Sequence, residues 1–383
     1  MAHLLDPFAI RGVTLPNRIA VSPMCQYSSR DGYADDWHLV HLGSRAVGGA
    51  GLLFTEATAV LPDGRISPQD LGIWKDDHIE PLARIVRFIH DQGSRAGIQL
   101  AHAGRKASTY QPWAGRGTIG VAEGGWSPVF APSAVSFGEG YAIPEALDTE
   151  AIGAIVSAFR EAARRACEAR FDVIEIHAAH GYLLHEFLSP FSNLRTDQYG
   201  GSLENRSRLL YEVVAALRHY LPDSFPLFIR ISATDWKEGG WDVDQSIELV
   251  SQLRAMGVDL VDCSSGGILP DIHIPAETGY QVPFAEQIRR ETEVFTGAVG
   301  MINSAGQADR IIRNEQADLV LMAREFLRDP YWPRHVAREL GFPAPWPAQY
   351  LRAAPAGSQI TTPVDLDNLE RCFAEHHAVP GRS

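Results

Sequence analysis

Residues 171–182 read Phe-Asp-Val-Ile-Glu-Ile-His-Ala-Ala-His-Gly-Tyr, and they carry the clearest signal for both the architecture and the chemistry of this chain. Its first six residues form a short, largely apolar run of the kind that becomes a buried strand. The end of that strand delivers two imidazoles, His177 and His180, and one phenol, Tyr182. Imidazole can donate a hydrogen bond to an oxygen, and phenol, with an ordinary pKa of about 10, can give up a proton. These groups favour chemistry on an electron-poor carbonyl over hydrolysis, because the stretch contains no activated nucleophile.

The two histidines also have simpler interpretations. Each one alone could be a hydrogen-bonded polar group at the end of a strand. The His-x-x-His spacing is also half of a zinc site, but zinc requires at least three protein ligands. No Cys-x-x-Cys or His-Glu-x-x-His motif accompanies the pair, so we expect no bound metal. The rest of the chain must decide between a structural and a catalytic role.

Composition limits the classes of protein to which this chain can belong. With 383 residues, of which 45% are hydrophobic, it can form one large α/β barrel or two ordinary domains. A net charge of −13 argues against nucleic-acid binding, which requires a basic face.

The chain carries no evident membrane or export signal. No apolar run approaches the ~18 residues of a transmembrane helix, and residues 1–6 lack the basic and apolar regions of a signal peptide. The cysteines are scattered and form no metal or redox motif; they are Cys25, Cys167, Cys263 and Cys372. We therefore expect a cytoplasmic protein with free thiols and no membrane partner.

Strand-like and helix-like segments alternate along the chain. The predicted strands are 18–22, 51–55, 96–100, 173–177, 227–231, 260–264, 294–299 and 319–322. The predicted helices are 79–92, 152–166, 203–221, 244–256, 284–291 and 307–313. Eightfold alternation predicts a (β/α)8 TIM barrel. The alternative, a doubly wound open sheet with a second domain, is less favoured because no Gly-x-Gly-x-x-Gly follows an early strand.

Two segments interrupt or follow the alternation. Residues 107–148 are rich in Gly, Pro, Ser and Trp, and we interpret them as an insertion after strand three that contains a hairpin and roofs part of the barrel mouth. Residues 1–352 then form a single barrel domain that ends in a Pro-rich arm. The tail 353–383 has little periodicity; it is either mobile or packed on a neighbouring subunit.

The working residues of such barrels lie at the carboxyl ends of the strands. Arg230 would point into the mouth from an otherwise apolar strand, and a buried guanidinium needs an anion or a dipole. A flavin ring meets this need, since its reduced form is anionic at N1. Gln99 can pair with a pyrimidine-like edge as donor and acceptor together.

The loops after strands seven and eight form the usual phosphate site of a barrel. Gly300 lets the backbone approach an anion closely, and Arg324 can grip a phosphate with its planar fork. A rival interpretation is a barrel glycosidase that uses Glu56 and Glu175 as paired carboxylates. That rival leaves Arg230 and the phosphate loops unexplained.

Several motifs together resemble one family. They are Pro16-Asn-Arg-Ile19, Ser22-Pro-Met-Cys25, Ala101-His-Ala-Gly-Arg105, His177-x-x-His-Gly-Tyr182, Asn193-x-Arg-x-Asp-x-Tyr-Gly-Gly-Ser202 and Asn205-Arg-Ser-Arg208. From about Leu5 to Arg352 the chain resembles the Old Yellow Enzyme family of FMN-dependent ene-reductases. Cys25, Tyr27 and Arg105-Lys106 are similar to its thermophilic-like and xenobiotic-reductase branch.

The resemblance implies a role for each matching position. The residues implied to bind FMN are Pro23, Met24 and Cys25 at the flavin face, Ala57, Gln99 and Arg230 around the ring, and Gly300, Ala323 and Arg324 at the phosphate. His177 and His180 would hold the substrate carbonyl oxygen, and Tyr182 would be the proton donor. Cys25 and Tyr27 would tune the flavin potential and touch substrate.

The resemblance also implies the reaction and the assembly. NADPH or NADH would reduce FMN, and flavin N5 would then pass hydride to the activated C=C bond of an enone, an enal, a maleimide or a nitro compound. The protein would be a homodimer or homotetramer in which Lys106 and a neighbour's Arg352 complete the substrate site. A flavin-binding protein that stores or senses flavin without turnover is the alternative from another class.

One departure from the family pattern concerns the phosphate site. Ala323 stands where many relatives have glycine before the phosphate-binding arginine. An alanine fits there only if its φ is negative. The tail beyond Arg352 is also longer than the family leads us to expect.

Overall fold

The computed structural model describes residues 1–365, and its centre is a closed barrel of eight parallel strands. Residues 1–365 contain twelve strands, of which eight form the barrel. They are β1 (Phe8–Ile10), β2 (Val13–Leu15), β3 (Ile19–Val21), β4 (Leu52–Ala59), β5 (Arg95–Ala101), β6 (Phe130–Ala131), β7 (Glu145–Ala146), β8 (Val173–Ala178), β9 (Leu227–Ser232), β10 (Leu260–Ser264), β11 (Phe295–Ala298) and β12 (Leu319–Met322). The barrel order is β3-β4-β5-β8-β9-β10-β11-β12, and β12 closes on β3. The predicted TIM barrel is confirmed.

Helices surround the barrel and cover its outer face. They are α1 (Asp36–Val47), α2 (Ile79–Asp91), α3 (Thr149–Glu168), α4 (Leu183–Leu188), α5 (Leu203–Tyr220), α6 (Val243–Ala255), α7 (Val282–Thr292), α8 (Ala305–Arg313), α9 (Arg324–Arg328) and α10 (Trp332–Leu340). Helix α2 buries one apolar face: Leu82, Ile85, Val86 and Ile89 are buried at helical spacing. Burial of one such side chain stabilises the fold by roughly 1.5–3 kcal/mol. None of the helices in residues 1–365 is both long and apolar enough to cross a bilayer.

The barrel interior is apolar at one end and polar at the other. At the amino-terminal end, Phe54, Val173 and Phe228 belong to one buried cluster with the side chains of the antiparallel β1–β2 hairpin. This hairpin therefore plugs the bottom of the barrel. Nearer the carboxyl ends of the strands, the interior carries buried polar side chains instead, and these prepare the functional site.

Helix α1 was missed by the sequence analysis. Asp35 caps it, because its side chain accepts hydrogen bonds from the backbone N–H groups of Trp37 and His38. The helical stripe is hard to see in the sequence, since Trp37 and Val40 are exposed. The Asp35 cap followed by His38 three residues later is the signal that could have found it.

The insertion 107–148 contains a short antiparallel bridge between Thr109 and Thr118, in keeping with the predicted hairpin, but its two strands are arranged differently. Strands β6 and β7 pair in parallel, Phe130 with Glu145 and Ala131 with Ala146. A parallel pair cannot be joined by a tight turn, so the intervening loop makes a wide excursion. The insertion is tied to the barrel by the buried Arg105, whose guanidinium donates to the carbonyl oxygens of Val135 (3.2 Å) and Ile268 (2.6 Å).

The carboxyl-terminal arm runs along its own barrel as far as residue 365. Trp346 pairs with Ile360, and the backbone N–H of Val364 donates to the carbonyl of His90 at 3.0 Å. His90 is near the end of α2, just before β5 begins, so the arm lies at the end of the barrel opposite to the mouth. Residues 366–383, with Cys372 and most of the predicted tail, lie outside the described part of the chain.

Candidate active site

Strand β8 and the turn that follows it place His177, His180 and Tyr182 in one cluster. The rings of His177 and His180 are perpendicular, with centroids 5.2 Å apart. The ring of Tyr182 lies 5.0 Å from that of His177, again edge-on. The structure thus brings both imidazoles and the phenol together at the barrel mouth.

A tight turn after β8 sets the directions of these side chains. His180 and Gly181 both have positive φ, 59° and 69°. A side chain at Gly181 would collide with the carbonyl of Gly267, so glycine is required there. The N–H of Gly181 donates to Nδ1 of His185 at 2.9 Å, and Nε2 of His185 lies 3.0 Å from a carboxylate oxygen of Asp235. His185, held by Asp235, therefore stabilises the turn. The sequence analysis missed both residues.

Hydrogen bonds assign the proton of His177. The backbone N–H of Ala179 donates to Nδ1 of His177 at 3.2 Å. Nδ1 is therefore the acceptor nitrogen, and the ring proton is on Nε2. His177 accordingly presents an Nε2–H donor to a ligand in the mouth.

His180 is arranged differently. Its Nε2 lies 2.6 Å from the hydroxyl oxygen of Ser264, at the end of β10. The other acceptor near that hydroxyl, the side-chain oxygen of Gln281, is at 3.5 Å. Because Ser264 engages Nε2, the ring nitrogen of His180 that is left for a ligand is Nδ1, which carries a proton when the Ser264 hydroxyl donates to Nε2.

Burial sets the protonation states of the cluster. Desolvation, followed by the positive charge of Arg230, lowers the pKa of His177 and of His180 well below the usual value. Desolvation raises the pKa of Tyr182 well above its usual range. The histidines are therefore neutral hydrogen-bond donors, and the phenol keeps its proton until an acceptor forms beside it.

Lys106 locks the same turn from the side of the insertion. Its ammonium donates to the carbonyl oxygens of His180 (2.7 Å) and Gly267 (3.1 Å). It also lies 4.8 Å from the centre of the Tyr182 ring and 4.5 Å from that of Phe137. Burial lowers the pKa of Lys106 to about 8.

The segment after β3 brings Cys25 and Tyr27 to the same mouth, where Cys25 and Tyr182 pack against one hydrophobic cluster. Their side chains form a hydrogen bond with each other, and desolvation raises the pKa of both. The ring of Tyr27 lies 5.5 Å from that of Trp113, and its carbonyl accepts a hydrogen bond from Gln111. The insertion therefore reaches the site, as expected for a segment that roofs the mouth.

A buried network behind this segment was not predicted. Glu56 accepts from the backbone N–H of Gln26 at 3.0 Å and lies 3.0 Å from Nε2 of His38. Nδ1 of His38 in turn lies 2.7 Å from Asp35. Burial opposes protonation of His38, but the hydrogen bonds to Glu56 and Asp35 outweigh it and raise its pKa. The network fixes the segment that carries Cys25.

Gln99 and Arg230 both lie inside the barrel mouth, and both are buried. The side-chain N–H of Gln99 donates to Glu175 at 2.8 Å, while Nε of Arg230 lies 3.0 Å from Asp262. Part of the anionic surrounding that Arg230 requires is thus supplied by the protein itself.

The carboxylates of the glycosidase interpretation are both committed elsewhere. Glu56 is held by His38 and by the backbone of Gln26, and Glu175 is held by Gln99. Glu56 and Glu175 are therefore not an acid and a base that face each other across a sugar site. Among residues 1–365, no group of three or more His, Cys, Asp or Glu side chains is arranged to hold a metal ion.

The loops after β11 and β12 line a common cavity of about 130 Å³, formed by residues 299–303 and 321–325 with Arg328. Gly300 has a φ of 110°, which favours glycine. Ala323 has a φ of −109°, the negative value that an alanine requires there. The guanidinium of Arg324 donates to the Met301 sulfur at 3.1 Å, so it lies across the cavity.

Comparison with known proteins identifies the family. The model of the NADH:flavin oxidoreductase / NADH oxidase family matches residues 3–341. The chain belongs to this family. It is 50% identical over 356 residues to an NADPH dehydrogenase of Halalkalibacterium halodurans, covering 92% of this chain and 99% of that protein. It is 48% identical to the NADPH dehydrogenase of Bacillus cytotoxicus over 353 residues, or 92% and 96% of the two chains.

Solved structures agree with this assignment. Morphinone reductase superposes with a TM-score of 0.74 at 29% identity, covering 96% of this chain and 97% of that one. A 2-naphthoyl-CoA reductase superposes with a TM-score of 0.80 at 25% identity, but only 52% of that longer chain is covered. The resemblance to the Old Yellow Enzyme family is confirmed. The protein is an NAD(P)H:flavin oxidoreductase with FMN as its cofactor and a nicotinamide dinucleotide as its reductant.

The residues of the mouth fit FMN. Within residues 1–365, the buried guanidinium of Arg230 makes one ion-pair contact, through Nε, which leaves its other nitrogens for a ligand. The cavity beside Gly300 and Arg324 has the size and the donors for one phosphate. Both features lie at the carboxyl ends of the strands, where barrel enzymes bind their ligands.

Proposed function

We propose that the protein reduces the activated C=C bond of α,β-unsaturated carbonyl compounds, such as enones, enals and maleimides, with nitro compounds as a further class. The observation that carries this proposal is the cluster of two neutral imidazole donors beside a protonated phenol. Two donors hold one carbonyl oxygen, and the phenol supplies the proton that the reduced alkene needs. No group in this cluster is an activated nucleophile, which argues against hydrolysis.

Each residue of the cluster has a defined task in this reaction. Nε2–H of His177 and Nδ1–H of His180 bind the carbonyl oxygen and stabilise the negative charge that develops on it. When bound, FMN supplies the hydride that the nicotinamide dinucleotide has delivered. Tyr182 donates its proton to Cα from the side opposite to the flavin. Lys106, which lies against the Tyr182 ring, holds the phenol in place.

The cofactor site follows from the positions of the strand ends. We assign Pro23, Met24 and Cys25 to the flavin face, and Ala57, Gln99 and Arg230 to the ring. Gly300, Ala323 and Arg324 take the phosphate, since they line the cavity after β11 and β12. Cys25 and Tyr27, linked by their hydrogen bond, lie where they can touch both flavin and substrate.

We also propose that a second subunit completes the site, in a homodimer or homotetramer. Arg352 is exposed in the 3-10 turn Ala348–Ala353. The arm that carries it is anchored at the far end of its own barrel, where Arg334 of α10 donates to the carbonyls of Val47, before β4, and of Pro345 in the arm. Arg352 therefore lies away from the mouth of its own chain, and we infer that it reaches the mouth of another. We also propose that residues 1–352 form one domain and that the protein is cytoplasmic.

The test is an anaerobic titration in two steps. NADPH, and separately NADH, should bleach the flavin absorption of the purified protein. Cyclohexenone or N-ethylmaleimide should then restore it in stoichiometric amount. A flavin that is reduced but is not reoxidised by any such alkene would support the storage or sensor alternative and reject this proposal.

A further inference from the structure

Four buried polar side chains form a polar layer inside the barrel, beside the histidines. Gln99 on β5 is in register with Glu175 on β8, and Arg230 on β9 is in register with Asp262 on β10. Glu175 precedes His177 by two residues, so the two side chains share the inner face of β8. The Gln99–Glu175 pair therefore lies one step nearer the apolar plug of the barrel than His177, whereas Arg230 is in register with His177 itself.

The bond between Gln99 and Glu175 determines how the amide is oriented. Nε2 of Gln99 donates to Oε1 of Glu175 at 2.8 Å, and both side chains are at most 1% exposed. A primary amide has donors at one end and an acceptor at the other. Glu175 accepts one N–H and leaves the second N–H and the carbonyl of Gln99 for another partner. Without Glu175, either end of the amide could face the mouth.

The charges in the layer support a neutral Glu175. Two carboxyl groups share the surroundings of one guanidinium, and Asp262 is the one in ion-pair contact with it. Desolvation, with repulsion from Asp262, raises the pKa of Glu175 to about 8. Oε2 of Glu175 has no hydrogen-bond partner within residues 1–365, so it is the oxygen that carries the proton.

We propose that Glu175 is a positioning residue: by accepting a hydrogen bond from Gln99, it fixes which end of the Gln99 amide faces the flavin, and so sets the affinity for FMN. The proposal rests on the assignment of Gln99 to the flavin ring. Glu175 does not touch the cofactor, and its effect passes entirely through Gln99. Two residues that act as one unit should show strongly non-additive effects on substitution.

The test compares Glu175→Met, Gln99→Met, the double variant and Glu175→Gln. The measurement is the dissociation constant of FMN, from fluorescence quenching, together with the flavin midpoint potential. Glu175→Met and Gln99→Met should each weaken FMN binding about 3- to 10-fold, the effect of one buried hydrogen bond. The double variant should be no weaker than Gln99→Met alone. Glu175→Gln keeps an oxygen acceptor and should restore wild-type affinity.

Asp172→Asn is the matched control, because Asp172 is also a fully buried carboxylate. It lies just before β8 at the opposite end of the barrel, where it contacts His90 and Arg95. This variant should lower the melting temperature but leave FMN binding unchanged. If Glu175→Met does not fold, Glu175→Ala takes its place in the same comparison, because it also removes the acceptor for Gln99.

Failure of the proposal for Glu175 can be distinguished from failure of the flavin assignment of Gln99 and from failure of the proposed function. Wild-type affinity in Glu175→Met beside weakened binding in Gln99→Met overturns the proposal for Glu175 alone. Additive losses in the double variant do the same. Wild-type affinity in Gln99→Met overturns the flavin assignment of Gln99 together with this inference, while the reduction of enones is judged separately by the anaerobic titration.

Discussion

The hydroxyl oxygen of Ser264 lies 2.6 Å from Nε2 of His180, whereas His177 receives a backbone N–H on Nδ1. The two histidines therefore direct different ring nitrogens at a ligand. The contact with a single hydroxyl on β10 thus decides which nitrogen of His180 can face a ligand.

Removal of that hydroxyl should weaken the binding of carbonyl ligands. In Ser264→Ala, the proton of His180 is free to move to Nε2, and the Nδ1 donor is lost for part of the time. We expect the dissociation constant of a phenol ligand such as p-hydroxybenzaldehyde to rise about 3- to 10-fold. Flavin reduction by NADPH should be little changed, since hydride delivery to the flavin needs no carbonyl donor. Equal losses in both half-reactions would contradict this role for Ser264.

Tyr182→Phe should separate the two half-reactions. The phenol is needed only when Cα accepts a proton, so reduction of the flavin by NADPH should proceed at the wild-type rate. Reoxidation by cyclohexenone should slow by about 100-fold or more, the usual contribution of a positioned acid. Stopped-flow absorbance at the flavin band measures each step. His177→Ala is the informative comparison, because it should instead weaken enone and phenol binding. A similar loss in both half-reactions of Tyr182→Phe would indicate structural damage.

Cys25→Ala should shift the flavin midpoint potential while leaving the melting temperature nearly unchanged. The thiol is neutral, because desolvation raises its pKa, and it is hydrogen-bonded to Tyr27. Its replacement removes a polar contact from the proposed flavin face and little packing volume. Cys167→Ala provides a control, since Cys167 lies on α3 on the outside of the barrel. An unshifted potential in Cys25→Ala would reject the assignment.

Stability should fall with rising pH, in part through Glu175. Folding raises the pKa of Glu175 to about 8, above the value of about 4.3 in an unfolded chain. The folded state therefore holds a proton that the unfolded state loses, and the stabilisation is complete below the unfolded pKa and lost as pH rises towards 8. Glu175→Gln removes this titration from beside Asp262 and Arg230. The melting temperature of the variant relative to wild type should increase between about pH 5 and about pH 9; a pH-independent difference would contradict the protonated state.

Mixed oligomers test the role of Arg352. We combine a chain carrying Arg352→Ala with a chain carrying His177→Ala, each impaired alone at a low enone concentration, and allow subunit exchange. If Arg352 acts across the interface, the intact histidine site of the first chain receives the intact arm of the second, and activity returns. Activity that never exceeds the sum of the two separate variants would place the arm in cis.

Local pattern in the sequence determined the barrel and the identity of its main working residues. Each strand of the barrel was visible because apolar side chains and β-branched residues recur over a few positions, and β8 matches the predicted 173–177 almost residue for residue. His177, His180 and Tyr182 were found because a strand end brings sequence neighbours together. The requirement that Ala323 have a negative φ could likewise be stated from the sequence, because it concerns a single residue.

Only the tertiary structure decided the partners of these residues. Ser264 and His180 are 84 positions apart, and Gln99 and Glu175 are 76 apart, so no local period connects them. Their contacts depend on the order of strands around the closed barrel and on its register, which set which inward side chains share a layer. The parallel β6–β7 pair and the path of the arm depend on long-range packing in the same way. The period of the apolar pattern predicts the face of the strand on which a side chain lies, whereas closure of the barrel determines which other residues that side chain contacts.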